Sequence, residues 1–439
     1  MRWRESIRDT GEQARSEYPL TELSLIQDVR ARKVFDSRGT TTIEVEVETS
    51  TAIGMASAPA GKSRGKAEVV PYPEGGVDKA LSQVEDLIAS ELTGMDSCDQ
   101  TAVDATLHEI DGTHDFSVIG GNTACATSLA AAEAGAHSIG LPLFTHLGGV
   151  FANTLPLPLG NVLGGGSHAG EGAPDIQEFL VVPLDPKDVT QAVETNLAVH
   201  RTLGQLLSEK VKGFTKGRGD EGAFAPNLDS RSALEAVKEA VERVSEQSGV
   251  KIGVGLDMAA SSLWDPSSKL YVYRRDGMKL SREEQIRYVL SLVEENDLLY
   301  VEDPLQEKDF EGFAELTANA GRALICGDDL FVTNLEALRQ GVSIKAGNAI
   351  IIKLNQVGTV SDASQAARFA KESGYFPVAS HRSGETESGH LAHIAVAFGC
   401  GMMKSGVIGG ERIAKANELL RIAETLGETA EIARTGWMR

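Results

Sequence analysis

From Thr41 to Thr49 apolar and acidic residues alternate, with Ile43, Val45 and Val47 on one face and Glu44, Glu46 and Glu48 on the other. A period of two predicts a strand with one face on a core and one toward water, as in an antiparallel sheet. Between Val77 and Leu92 the spacing becomes helical, and Val77, Ala80, Leu81, Val84, Leu87 and Ile88 fall on one stripe. A second helix is expected over Asp99–Ile110. Strands followed by helices predict a small α+β unit, ending near Leu155-Pro156-Leu157-Pro158.

Beyond that point the pattern changes. Short apolar runs recur, and each ends in a polar residue able to do chemistry: Asp257, Glu302, Asp328, Lys353, His381 and Lys404. Their spacings are 45, 26, 25, 28 and 23 residues. A βα unit occupies about 25 residues in a (β/α)₈ barrel of about 250. Helical segments such as Asp362–Ser373 and Leu391–Phe398 lie between the runs. One such residue alone is ordinarily a turn former or helix cap. Six in succession predict a catalytic face, because barrel active sites gather at the C-terminal ends of the strands.

A chain of 439 residues exceeds what one core usually supports, so two domains are expected. The formal charge of -21 disfavours a nucleic-acid partner, which requires a basic face. Cys98, Cys125, Cys326 and Cys400 form no CxxC pair, so neither a disulfide framework nor a zinc site is expected, and a cytoplasmic setting fits. No apolar run approaches the roughly 20 residues of a membrane helix. Residues 1–25 mix Arg2, Arg4, Arg8 and Arg15 with acids and are expected to be an extension rather than a targeting signal.

The polar residues are chemically complementary. Asp257, Glu302 and Asp328 would bring three carboxylates together, which cannot all stay ionised without a cation. Hard oxygen ligands in that number suit Mg²⁺. A plain structural reading, a salt-bridge network with Lys353 and Lys404, competes with it. Lys353 beside such a cluster is a candidate general base. Abstraction of a proton α to a carboxylate gives an enediolate that metal ions stabilise. Arg382 and Ser383 at a strand end can grip a phosphate through a guanidinium fork and a hydroxyl, which raises the standing of neighbouring His381. The run Gly164-Gly165-Gly166-Ser167-His168-Ala169-Gly170 presents His168, and Gly219-Asp220-Glu221-Gly222 places Glu221 on a tight turn.

At this level the chain resembles the enolase family from about Ile26 to Leu426. The shared motifs include Phe35-Asp36-Ser37-Arg38-Gly39, Gly166-Ser167-His168-Ala169-Gly170, Gln177-Glu178-Phe179, Glu302-Asp303-Pro304, Gly327-Asp328-Asp329-Leu330, Lys353-Leu354-Asn355-Gln356 and Ser380-His381-Arg382-Ser383-Gly384. A lysine base with Mg²⁺ at an enediolate is the general pattern of enolase-superfamily sites. The resemblance implies an α/β fold, a barrel with an irregular ββαα start (155–439) preceded by a small α+β capping domain (26–154). It implies reversible dehydration of 2-phosphoglycerate to phosphoenolpyruvate with two Mg²⁺ per active site, in at least a homodimer. Asp257, Glu302 and Asp328 would hold the first Mg²⁺, and Ser63 would help place the second. Lys353 would take the C2 proton, and Glu221, supported by Glu178, would protonate the departing hydroxide. Lys404 and His381 would contact the substrate, Arg382 and Ser383 its phosphate, and His168 would close over it.

One segment departs from the family pattern. Where Ser-Gly-Ala-Ser-Thr-Gly is usual, this chain has Ala60-Gly61-Lys62-Ser63-Arg64-Gly65. Two cations flank Ser63, which leaves open a related enzyme acting on another anionic phospho- or phosphono-carboxylate. A non-catalytic scaffold is a third reading, against which the retained Glu178, Glu221, Lys353 and Lys404 argue.

Overall fold

The computed structural model describes residues 20–62, 65–170 and 172–434. Ser63 and Arg64 therefore lie outside the described residues, as does most of the expected 1–25 extension. Strands β1 (Ile26–Phe35), β2 (Thr41–Thr49) and β3 (Ile53–Ser57) form an antiparallel sheet in that order. The alternation in β2 holds: Ile43, Val45 and Val47 are fully buried. Glu44 and Glu48 face outward to Arg32 and Arg30 of β1, at 2.9 and 3.2 Å. The buried face receives the helix Gly121–Ser138, which is rich in alanine and other small residues. The approach is so close that a Cβ on Gly54 would stand 2.1 Å from the Ala130 carbonyl oxygen.

The predicted Val77–Leu92 helix is one helical run with an interruption: Gly76–Gln83 and Ala89–Leu92 are α-helical, and Val84–Ile88 is a π turn. Nothing in the spacing of apolar residues signals that wider turn. The second helix spans Gln100–Asp111, and the Asp99 side chain caps it by accepting from the Ala102 N–H.

Eight strands close a barrel: β4 (Leu157–Gly164), β5 (Glu178–Pro183), β6 (Ile252–Asp257), β7 (Tyr300–Glu302), β8 (Leu324–Gly327), β9 (Ala349–Ile352), β10 (Phe376–Ser380) and β11 (Met402–Gly406). Strand β5 runs antiparallel to both neighbours, and the remaining pairings are parallel. This is the irregular start. The long interval before Glu302 has a simple cause: a small sheet of Trp264–Asp265, Leu270–Tyr273 and Met278–Leu280 follows β6. After it comes the helix Arg282–Asn296, opened by a Ser281/Glu284 capping box.

Alternate strand residues fill the barrel centre, among them Leu159, Leu180, Tyr300, Cys326, Ile351 and Met402. The strand period of two then sends Glu302 and Lys404, each two residues beyond a core residue, to the mouth of the same interior. Residues of opposite parity, such as Val301, Ile325 and Ile350, join the larger core beneath the surrounding helices.

Candidate active site

Three acids stand side by side on adjacent strands. Glu178 pairs with Asp257 across β5 and β6, and Asp257 pairs with Glu302 across β6 and β7. Asp328 follows β8 directly, on a turn whose Asp328 and Asp329 N–H groups donate to the Asp303 carboxylate at 3.0 and 2.8 Å. Asp303 is itself left-handed, at φ 41°, so a strained residue organises the turn.

The acids do not converge on empty space. Lys404 Nζ lies 2.9 Å from Asp257, 2.8 Å from Glu302 and 3.3 Å from Glu178. Lys353 is paired with Asp328, whose other oxygen accepts from Gln356 at 2.8 Å. The network considered from sequence is thus present, with the two lysines as internal counterions. Burial and Asp257 push the Glu302 carboxyl up to about 8, against the pull of Lys404. Burial opposes ionisation of Asp328 as well, but Lys353 outweighs it and holds that carboxyl below its ordinary value. Burial likewise disfavours the Lys353 ammonium, but the neighbouring acids, Asp328 first and then Glu302, raise its pKa on balance.

The residues fit a divalent cation. Oxygen donors dominate the cluster, and the buried Glu302 Oε1 has no hydrogen-bond partner. Asp303, Asp328 and Asp329 bring ligand atoms within 4.8 Å of one another, as do His168, Glu178 and Glu221. Asp257, Glu302 and Asp328 would hold the ion once the lysines yield their carboxylates.

A second group faces the cation cluster. His168 Nδ1 lies 3.3 Å from Glu178 and 3.6 Å from Glu221, and His381 Nε2 lies 3.2 Å from Glu221. Asn161 donates to Glu221 at 3.0 Å. Two buried carboxylates this close divide the proton unequally. Burial and Glu221 raise Glu178, whereas His381 and His168 overcome burial and hold Glu221 well below the ordinary range. Burial works against a charged His168, yet Glu221 and Glu178 lift it to about 9. Glu221 keeps its place because Gly222 is left-handed at φ 79°, and a Cβ there would meet the Ile408 carbonyl oxygen at 1.8 Å.

The third side is cationic. Arg382 grips Glu68 with both Nη atoms, at 3.0 and 3.1 Å, and donates to Asn355 at 3.1 Å. Ser383 Oγ accepts from the Lys62 N–H at 2.7 Å. The Lys62 ammonium is turned to Asp220, 3.1 Å away. Glu68 and Arg412 escaped the sequence reading, since no periodicity marks them, and Asp303 entered it only within the Glu302-Asp303-Pro304 motif, with no role.

All three groups line one cavity, which Gly61 and Lys62 also border. It joins a lysine paired with a carboxylate, two carboxyls of unequal proton affinity and an arginine that grips a carboxylate. Such a set suits proton abstraction next to a carboxylate and protonation of a leaving group.

Comparison with known proteins gives two family matches. The model described as enolase, N-terminal domain, covers residues 26–147, and that described as enolase, C-terminal TIM barrel domain, covers 152–438. A protein of Methanothermobacter thermautotrophicus named enolase is 52% identical over 404 residues, which is 92% of this chain and 97% of that relative. The enolase of Pyrobaculum aerophilum is 49% identical over 415 residues, 93% of this chain and 99% of the relative. That of Haloarcula marismortui is 48% identical over 406 residues, 92% and 99% of the two chains.

Proposed function

The chain belongs to the enolase family, and from that premise we propose that it dehydrates 2-phosphoglycerate reversibly to phosphoenolpyruvate and water, as a carbon–oxygen lyase of glycolysis. The observation that carries the reading is the meeting of Lys353, the Glu178–Glu221 pair and Arg382 on one cavity.

Lys353 removes the C2 proton, and the pair of electrons released moves toward the substrate carboxylate. Two bound Mg²⁺ ions would neutralise the charge that develops there. Asp257, Glu302 and Asp328 would hold one of them, and Ser63 would help place the other. As it stands Lys353 is held protonated by Asp328. Were Asp328 turned to metal ligation, Arg382 and Lys404 would be left to depress the lysine, which would then be free to accept a proton. The C3 hydroxyl leaves as the Glu178–Glu221 pair protonates it, Glu221 serving as donor and Glu178 as the reservoir. Arg382 exchanges Glu68 for the phosphate, joined by the Ser383 hydroxyl. His381 and Lys404 contact the substrate, and His168 covers it. We take 26–154 as the capping domain, 155–439 as the catalytic barrel, and a cytoplasmic homodimer as the working form.

The test is direct. With Mg²⁺ the purified protein is expected to form phosphoenolpyruvate from 2-phosphoglycerate, and a chelator to stop it until Mg²⁺ is restored. A metal-loaded sample that forms none overturns the assignment. The alternative substrate rests on Lys62 and Arg64, of which Arg64 lies outside the described residues. The Lys62 ammonium is already engaged by Asp220, so it adds little net charge to the cavity. Lys62→Ala is therefore expected to leave the KM for 2-phosphoglycerate close to that of the parent. It should also change stability by less than about 1 kcal/mol, as for other exposed ion pairs. A large fall in KM would show that the cation opposes this substrate.

A further inference from the structure

We propose that Arg412 is a positioning residue that fixes His381 in its Nε2–H tautomer, so that the imidazole turns its one ring proton toward Glu221 and its lone pair toward the guanidinium. Arg412 stands in the helix Gly410–Leu426 and is almost wholly buried. Its Nη1 donates to His381 Nδ1 and to the Arg382 carbonyl oxygen, both at 2.7 Å. Its Nη2 donates to the Ser383 carbonyl oxygen at 2.7 Å and to that of Asp220 at 3.2 Å. The four Nη hydrogens thus meet four acceptors. A guanidinium in a protein does not give up its proton and has no acceptor to offer. The nitrogen that faces it must therefore present a lone pair.

His381 Nδ1 is consequently unprotonated. A doubly protonated ring would set N–H against N–H and cation against cation at 2.7 Å. The charged groups that bear on the ring are Glu221, Glu385 and Arg412; the two glutamates favour its cationic form, while burial, first, and Arg412 prevail and push it down to about 4. The one ring proton is left on Nε2, which stands 3.2 Å from Glu221 Oε2. A hydrogen on that side supports an ionised Glu221 and cannot be withdrawn toward Nδ1. The same guanidinium also ties the backbone of the phosphate-gripping segment to that of the turn bearing Glu221, so the two sides of the cavity keep a fixed register. None of this depends on which substrate the cavity takes.

The test uses the Mg²⁺-loaded protein with ¹⁵N-labelled histidine and no substrate, with His381→Asn identifying the resonances. The expected result is a protonated Nε2 and an unprotonated Nδ1. A proton on Nδ1, alone or together with Nε2, overturns the proposal. Arg412→Met is expected to mix the tautomers and to lower kcat by about 10–100-fold with less change in KM. Losses of that order follow removal of partners that orient metal-bound imidazoles. Arg412→Lys, which keeps a donor, should recover part of both. An Arg412→Met protein that loses activity yet keeps the Nε2–H signature would show a merely structural role. Should Arg412→Met fail to fold, the spectrum of the parent still decides. Because the tautomer is read without turnover, a failure to form phosphoenolpyruvate would leave this result standing.

Discussion

Replacing Lys353 with alanine is expected to lower turnover of 2-phosphoglycerate by about 10²–10⁴, the usual contribution of a positioned general base. The lysine sits at the end of β9, where the Thr333 hydroxyl accepts from its backbone N–H at 2.9 Å and donates to Gln356 at 2.6 Å. Its backbone is thus fixed by neighbours that the substitution leaves in place. Loss of rate would then report loss of the amine. Metal affinity should move the other way, since Asp328 loses a competing partner. Two measurements separate these effects: exchange of the C2 proton with deuterated solvent, and calorimetric titration with Mg²⁺. Exchange that persists at the parental rate would show that another group is the base.

The largest effect on stability is expected at Lys404. Substitution by methionine keeps the length of the side chain but leaves Glu178, Asp257 and Glu302 buried without the ammonium between them. Removing one partner of a buried ion pair costs about 3–5 kcal/mol, and the metal-free protein should lose that much. Mg²⁺ should restore part of it, because an ion at the same carboxylates supplies the missing charge. The sign with pH follows from Glu302. Its pKa rises from 4.5 in the unfolded chain to about 8 in the fold, so the native state holds the extra proton between those values. The unfolded state is then favoured progressively as pH rises through that window. Without Lys404 the carboxyls hold their protons more firmly still, so the penalty of the substitution should be smallest at the acid end and grow toward pH 8. Urea unfolding with and without Mg²⁺ measures both trends. A metal-free Lys404→Met protein as stable as its parent at neutral pH would rule out the ammonium as counterion.

Much of this site can be read from sequence because parallel strands give it a uniform mark. Asp257, Glu302 and Lys404 each close an apolar run, and Asp328, Lys353 and His381 follow one directly. Glu178 breaks that rule for a geometric reason. Strand β5 runs against its neighbours, so its first residue reaches the catalytic mouth and the polar group precedes the run Phe179–Val182. Only resemblance pointed to it. The strand Leu157–Gly164 is hidden likewise, since its first residues belong to the stretch Leu155-Pro156-Leu157-Pro158 that reads as the end of the α+β unit. Glu68 and Arg412 left no mark at all. Each is a charged residue buried by a partner hundreds of residues or a whole barrel turn away, and charge in a loop or at the start of a helix ordinarily signifies solvent. The sequence offered the metal site and the ion-pair network with Lys353 and Lys404 as competing readings, and the lysines do stand among the acids. Seen as chemistry, metal site and ion-pair network are successive states of the same carboxylates.

The Glu68–Arg382 pair has a consequence for affinity. While Glu68 engages both Nη atoms, at 3.0 and 3.1 Å, those nitrogens are not offered to a phosphate. The apparent dissociation constant of a phosphorylated ligand is therefore the intrinsic one divided by the fraction of molecules in which Glu68 has let go. Inhibitors that resemble the substrate would be governed by the same fraction, so affinity could be tuned at Glu68 without altering any group that touches the reacting carbons.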